Sequence, residues 1–299
     1  MIATATPLSP TRVWWSAVRP ATLAASVAPV LAGTAIALQE GGARWWPGVG
    51  ALAVGLGMQL GVNFANDYSD HVRGADSPTR VGPVRAASSG VVAPAHVRIA
   101  AIASFGVAGL AGLLLSLAVD WRLLIAGTAC LLAGWLYTGG PRPYGYLGLG
   151  EVFVFVFFGL VATTGTVYVE TGRITALALL TGCALGFLAC AILVLNNLRD
   201  IQSDQAVRKR TLATRIGRDR TRVLLLVLVC GAFVMPVVAV ALKLAAFPAL
   251  LVLLAIPQAA TPVRIAFSDQ AGPPLVGALK RMAVTELDFA LLLALGLLL

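Results

Sequence analysis

Charge is scarce in this chain. Asp, Glu, Lys and Arg make up 12% of its 299 residues, about half the share found in soluble globular domains. Hydrophobic residues reach 59% and mean hydropathy is +0.88, which excludes an ordinary soluble fold. Cysteine is also sparse. Cys130, Cys183, Cys190 and Cys230 all fall inside apolar runs, at spacings that match no zinc or haem site. They are expected to act as small buried hydrophobes. A cationic start leading to a short apolar core and a cleavage site is missing too, so no cleavable signal peptide is expected.

What remains is a series of long apolar runs. A helix needs about 20 residues to cross the hydrocarbon core of a bilayer. Nine spans are expected, at 15–38, 48–66, 97–118, 122–138, 149–168, 174–197, 221–242, 246–266 and 282–299. They imply an all-α integral membrane protein of one domain, 1–299, with residues 1–14 as a tail. The net charge of +9 suggests nucleic acid at first sight, but its distribution argues otherwise. With nine spans, 18 of the basic residues fall on the side of the N-terminus and 4 (Arg44, Arg122, Arg173 and Lys243) on the other. Such asymmetry orients membrane proteins, and it places the N-terminus in the cytoplasm. No nucleic-acid partner is expected.

The polar residues gather in two stretches. The first is Asn63-Phe-Ala-Asn66-Asp67-Tyr68-Ser-Asp70-His71-Val-Arg73-Gly74-Ala-Asp76, and the second is Asn196-Asn197-Leu-Arg199-Asp200-Ile-Gln-Ser-Asp204. In both, an Asn lies one helical turn before an Asp, and a second Asp follows three or four residues later, so the carboxylates share a helix face. Both continue into basic segments and close on Thr-Arg-hydrophobe-Gly, at Thr79-Arg80-Val81-Gly82 and Thr214-Arg215-Ile216-Gly217. Four crossings separate them, and an even number brings both to the same membrane face, as in a parallel repeat.

Four carboxylates at the membrane–water boundary repel one another unless cations neutralise them. Two Mg2+ ions would do so. Mg2+ takes few protein ligands and shares the rest with phosphates. With Arg73, Arg80, Arg85, Lys209 and Arg215 nearby, the arrangement reads as a two-metal diphosphate site at the mouth of an apolar bundle. The substrate it implies has an anionic head and an apolar tail, a polyprenyl diphosphate. Tyr68, Tyr137 and Tyr144 are either a π-rich wall for an allylic cation or interface anchors. Glu151, inside an apolar run, is a functional candidate or a structural hydrogen-bonding group. Glu286 and Asp288, near Lys280 and Arg281, are expected to form interfacial ion pairs.

At these residues the chain resembles the UbiA superfamily of intramembrane prenyltransferases. Within it the chain is most similar to the branch that prenylates 1,4-dihydroxy-2-naphthoate in menaquinone biosynthesis. The matching elements are Arg19-Pro-Ala-Thr, the stretch from Asn63 to Asp76, Arg80-Val-Gly-Pro-x-Arg85, Tyr137-Thr-Gly-Gly-Pro, Asn196-Asn-Leu-Arg-Asp-Ile-x2-Asp204 and Lys209-x-Thr-Leu. The chain departs from the family pattern at Gly74, where other branches often have Asp, and at Arg208, which stands where a glycine usually precedes Lys209.

The resemblance implies nine helices around a central cavity, with cap loops after the second and sixth, in a bacterial inner membrane. It also implies transfer of the prenyl group to the naphthoate ring with loss of CO2. Asp67, Asp70, Asp200 and Asp204 are expected as metal ligands, with Asn63, Asn66 and Asn197 orienting them or the diphosphate. Arg73, Arg80, Lys209 and Arg215 would hold phosphate oxygens, Tyr137 would face the reacting carbon, and Arg85 or Arg142 would meet the acceptor carboxylate. Two alternatives are another acceptor (4-hydroxybenzoate, homogentisate or a glycerol phosphate) and a secondary transporter. A transporter predicts charge at mid-membrane, whereas here it collects at one face.

Overall fold

The computed structural model describes residues 9–74, 82–268 and 272–299, and among the described residues every regular element is helical. Arg80 and Asp76 lie outside the described residues.

The first apolar run breaks near its start. Helix α1 (Pro10–Val18) is capped by Ser9, whose side chain accepts from the Arg12 backbone N–H. Helix α2 (Pro20–Gln39) begins after Arg19, which is left-handed at φ 52°. Pro20 is the cause. Its ring disfavours the helical conformation at the preceding residue and it has no N–H to continue α1, yet it suits the first position of a new helix. The expected span 15–38 is therefore two helices, and residues 10–14, expected in the tail, are helical.

Helix α3 (Trp45–Val72) and helix α8 (Ala176–Ala206) run on past residues 66 and 197, so each carries its aspartate stretch out as a helix end. Between them come α4 (Pro94–Ala118), α5 (Leu123–Leu136), a 3-10 turn (Tyr144–Leu147) and α6 (Gly150–Val154). A π-helical stretch (Phe155–Val161) then leads into α7 (Ala162–Thr171). After α8 come α9 (Leu212–Ala241), a 3-10 segment (Phe247–Ala255), α10 (Ile256–Phe267) and α11 (Pro273–Leu298). Among the described residues, 7 helical stretches are long and apolar enough to cross a membrane. Helix α5 is shorter, at 14 residues, and α11 carries Lys280, Arg281, Glu286 and Asp288.

Helix α3 packs on α4, α8 on α9, and α2 on α7 and α11. The main core lies around Ile36 of α2, Leu185, Leu188 and Leu195 of α8, and Met282 and Phe289 of α11. The π stretch meets α8 at glycines: a Cβ on Gly159 would sit 2.4 Å from the Gly186 Cα. A smaller cluster joins Val13 and Ala17 to Phe64, Val97, and Ala86 and Ala87 of the α3–α4 loop. Leu113, Leu114, Leu117, Val227 and Val234 face outward, which suits hydrocarbon, as does a backbone satisfied within helices.

Candidate active site

A cavity of about 310 Å3 runs between α2, α3, α5 and the α6–α8 segment. Apolar side chains such as Val54, Met58, Cys130 and Ile192 line most of it, while Asn63, Asn66 and Asn196 supply a polar end. One wall is an aromatic ladder. Tyr137 meets Tyr144 edge-on at 5.4 Å, Tyr144 stacks on Phe153 at 3.9 Å, and Phe157 follows at 6.0 Å. Two of the tyrosines singled out from sequence, Tyr137 and Tyr144, thus face this space. Tyr68 does not; it lines a separate pocket on the outer side of α3.

The first aspartate stretch divides its work. Asp67 is fully buried, and its two carboxylate oxygens accept the backbone N–H groups of Ala86 at 2.9 Å and Ala87 at 3.1 Å. It ties the α3–α4 loop to the helix end. Asp70 accepts from Arg85 at 2.6 Å and from the Tyr146 hydroxyl at 2.8 Å. Asn63 donates to the Val18 carbonyl and to Thr22, fixing the α1–α2 break against α3. Asn66 accepts from the Thr138 hydroxyl at 2.7 Å.

In the second stretch Asp200 accepts from Nε and Nη2 of its neighbour Arg199, at 2.7 and 2.5 Å, and Arg199 also donates to Asn196. Lys209 Nζ stands 3.8 Å from Asp204. Asn196 faces the cavity, whereas Asn197, the expected orienting residue, is turned away to donate to Glu151 at 3.0 Å. Adjacent helix positions point about 100° apart, and here that rotation carries the Asn197 side chain to Glu151 while Asn196 lines the cavity.

Tyr146 joins the two stretches. Its hydroxyl donates to Asp70, while its ring lies 5.0 Å from Lys209 Nζ and 5.5 Å from the Arg73 guanidinium. Burial and the adjacent Asp70 carboxylate push the Tyr146 phenol up, so it remains a donor. Its carbonyl also accepts the Arg210 N–H, which pins the second basic loop to the 3-10 turn. The sequence shows three tyrosines in this connector, and nothing in their spacing marks Tyr146 as the bridge.

Other expected residues lie further out. Arg73 donates to the Gly140 carbonyl at 2.7 Å, Arg215 donates to the Arg210 carbonyl, and Arg142 is exposed on the connector. Glu286 is not in an interfacial ion pair: it is fully buried, and neither carboxyl oxygen has a hydrogen-bond partner. Helix α11 turns it inward, away from Arg281 on its exposed face. Glu151 accepts from Asn197 through its side chain and from Cys190 through its backbone carbonyl.

Amide side chains of Asn66 and Asn196 line the polar end of the cavity, and one helical turn beyond them stand the carboxylates of Asp70 and Asp200, oxygen donors of the hard kind that suits Mg2+. Among the described residues no three His, Cys, Asp or Glu side chains gather to hold an ion by themselves.

The description "UbiA prenyltransferase family" matches residues 26–271 of the chain. A 1,4-dihydroxy-2-naphthoate octaprenyltransferase of Mycobacterium tuberculosis is 44% identical over 284 residues, covering 94% of this chain and 95% of that one. The enzyme of the same name from Escherichia coli is 37% identical over 229 residues, 72% of each chain. A UbiA homolog from Archaeoglobus fulgidus, solved with DMAPP and Mg2+, shares the fold at TM-score 0.62 and 14% identity, covering 94% of this chain and 99% of that one. By the extent of these matches the chain belongs to the UbiA prenyltransferase family.

Proposed function

We propose that this protein transfers a polyprenyl group from polyprenyl diphosphate to 1,4-dihydroxy-2-naphthoate with loss of CO2. The observation that carries this reading is the chain Asp70–Tyr146–Lys209–Asp204, which links the two aspartate stretches, while Asn66 and Asn196, one helical turn before Asp70 and Asp200, line the polar end of an apolar, aromatic-walled cavity. The naphthoate acceptor is inferred from the relatives that bear its name.

In this reading nine segments cross a bacterial inner membrane, α5 and α11 completing the set. The N-terminus and the cavity mouth face the cytoplasm, on the side rich in Lys and Arg. Asp70, Asp200 and Asp204 would hold Mg2+, two ions in all, while Asp67 keeps the α3–α4 loop in place. Bound Mg2+ neutralises charge on the departing diphosphate. Arg85, Arg199 and Lys209, which pair with these aspartates in the structure, would be available to phosphate oxygens with Mg2+ bound, and Arg73, Arg80 and Arg215 would add positive charge for the diphosphate.

The prenyl C–O bond breaks and diphosphate leaves with the electron pair. Tyr137, Tyr144 and Phe153 face the allylic cation with their π clouds and exclude water. A C–C bond forms at the ring carbon bearing the carboxylate. That carboxylate then leaves as CO2, and its bonding pair restores the aromatic ring, so no separate base is required. The acceptor is tested by giving the purified protein one polyprenyl diphosphate with each candidate acceptor in turn. A prenylated naphthalenediol is expected, and preferential prenylation of 4-hydroxybenzoate or homogentisate overturns the assignment.

A further inference from the structure

A second pocket, of about 230 Å3, opens on the outer side of α3 between its last turns, the start of α4 and the end of α5. Its α3 residues Ala65, Tyr68, Ser69 and Val72 form one helical stripe, while Gln59, Asn63 and Asn66 face the main cavity from another. The two pockets thus use different faces of the same helix.

Two guanidiniums border this second pocket. Arg98, near the start of α4, stands 5.8 Å from the Tyr68 ring, and Arg73 is held by the Gly140 carbonyl. Among the described residues no carboxylate lies within ion-pair distance of Arg98. Trp135 forms the α5 side and is 45% exposed, Val72 on the lining is 63% exposed, and Ile99 and Ile102, next in sequence to the lining residues Arg98 and Ala101, are 59% and 54% exposed. Val72, Ile99 and Ile102 belong to helices long and apolar enough to span a membrane.

A cationic, aromatic pocket that opens onto outward-facing aliphatic side chains at helix ends matches a ligand with an anionic head and hydrocarbon tails. Guanidiniums bind phosphate through paired N–H groups, and Tyr and Trp rings settle at head-group depth. Basic pockets between membrane helices select anionic lipids on the same grounds. We propose that this pocket holds the phosphate head group of an anionic membrane phospholipid, with its acyl chains lying along α4 past Ile99 and Ile102. The site lies on a different face of α3 from the diphosphate site, shares Arg73 with it, and is distinguished from it by Arg98, Tyr68 and Trp135.

Native mass spectrometry of the purified protein in detergent, titrated with phosphatidylglycerol or phosphatidylcholine, tests it. Wild type should retain one phosphatidylglycerol in preference to phosphatidylcholine. Arg98→Gln should cut that retention by at least about fivefold, the worth of one basic side chain near a lipid head group. Ser69→Leu, which fills the pocket without changing charge, should do the same if Arg98→Gln fails to fold. Arg220→Gln, on exposed α9 surface, should behave as wild type. Undiminished retention in Arg98→Gln or Ser69→Leu overturns the proposal, and so does an equal loss in Arg220→Gln. Displacement of the lipid by free glycerol phosphate would reassign the site to a soluble phosphate and overturn it as well.

Discussion

Asp67→Asn is the perturbation that best separates a metal ligand from a loop anchor. Asp67 is fully buried and accepts two backbone N–H groups, from Ala86 and Ala87. Asparagine keeps one acceptor oxygen and turns an NH2 toward the other N–H. One charge-assisted hydrogen bond is lost and a buried donor is left unsatisfied, at a cost of about 2 kcal/mol. That raises the population with the loop released by roughly thirtyfold. Hydrogen exchange on a peptide covering Gly82–Gly90 should therefore quicken at Ala86 and Ala87 by about that factor. The value of kcat/KM for the prenyl diphosphate should fall, because Arg85 on the same loop loses its support. The Mg2+ concentration giving half-maximal activity should stay within about threefold of wild type, since a metal ligand's loss typically costs more. Unchanged exchange together with a steeply raised Mg2+ requirement would refute the anchor reading and return Asp67 to the metal.

Other consequences follow from single residues. Tyr146→Phe removes a hydrogen bond to a carboxylate worth about 1.5–3 kcal/mol and should lower kcat/KM by roughly ten- to a hundredfold, measured by product formation at saturating Mg2+. Because Tyr146 ionises less readily when folded, the unfolded chain loses that proton first, near its ordinary value of about 10. Stability should fall as pH rises past that point, and thermal unfolding of Tyr146→Phe should show a shallower alkaline decline. Arg208 is left-handed at φ 56°, where a side chain costs about 1–2 kcal/mol. Arg208→Gly should then hold or raise the melting temperature despite glycine's added unfolded-state entropy. Glu286→Met should stabilise the protein by about 1–3 kcal/mol in detergent unfolding, since it removes two buried oxygens that have no partners.

Much of this molecule can be read from its sequence. Apolar runs locate the helices, because hydrocarbon allows little except helix for such runs, although α9 begins at Leu212 and α11 at Pro273, well before the expected 221 and 282. Other exceptions come from local backbone chemistry. Pro20 divides the first run at Arg19, and α3 and α8 outlast their apolar stretches because polar residues such as Asp70 and Asp204 continue the helix into the site. The Thr-Arg-hydrophobe-Gly echo has a backbone counterpart, since Gly82 and Gly217 both adopt positive φ, 147° and 80°. The glycine usual before Lys209 is likewise explained by the left-handed turn that Arg208 occupies.

Spacing within a motif did not assign roles. It put Asp67 and Asp70 on one side of a helix, yet the loop amides claim one and Arg85 with Tyr146 the other. It pointed to Asn197 as the orienting residue, and helix rotation gives the cavity to Asn196. Tyr146 and the inward turn of Glu286 depend on contacts between segments distant in sequence, which no local pattern records.

The central claim is tested most directly with carboxyl-labelled 1,4-dihydroxy-2-naphthoate, a polyprenyl diphosphate and Mg2+ supplied to the purified protein. Labelled CO2 should appear in step with prenylated product and diphosphate, in equal amounts, and only when all three are present. Prenyl transfer with the label retained on the ring, or consumption of the diphosphate without any prenylated naphthalene, would contradict the account.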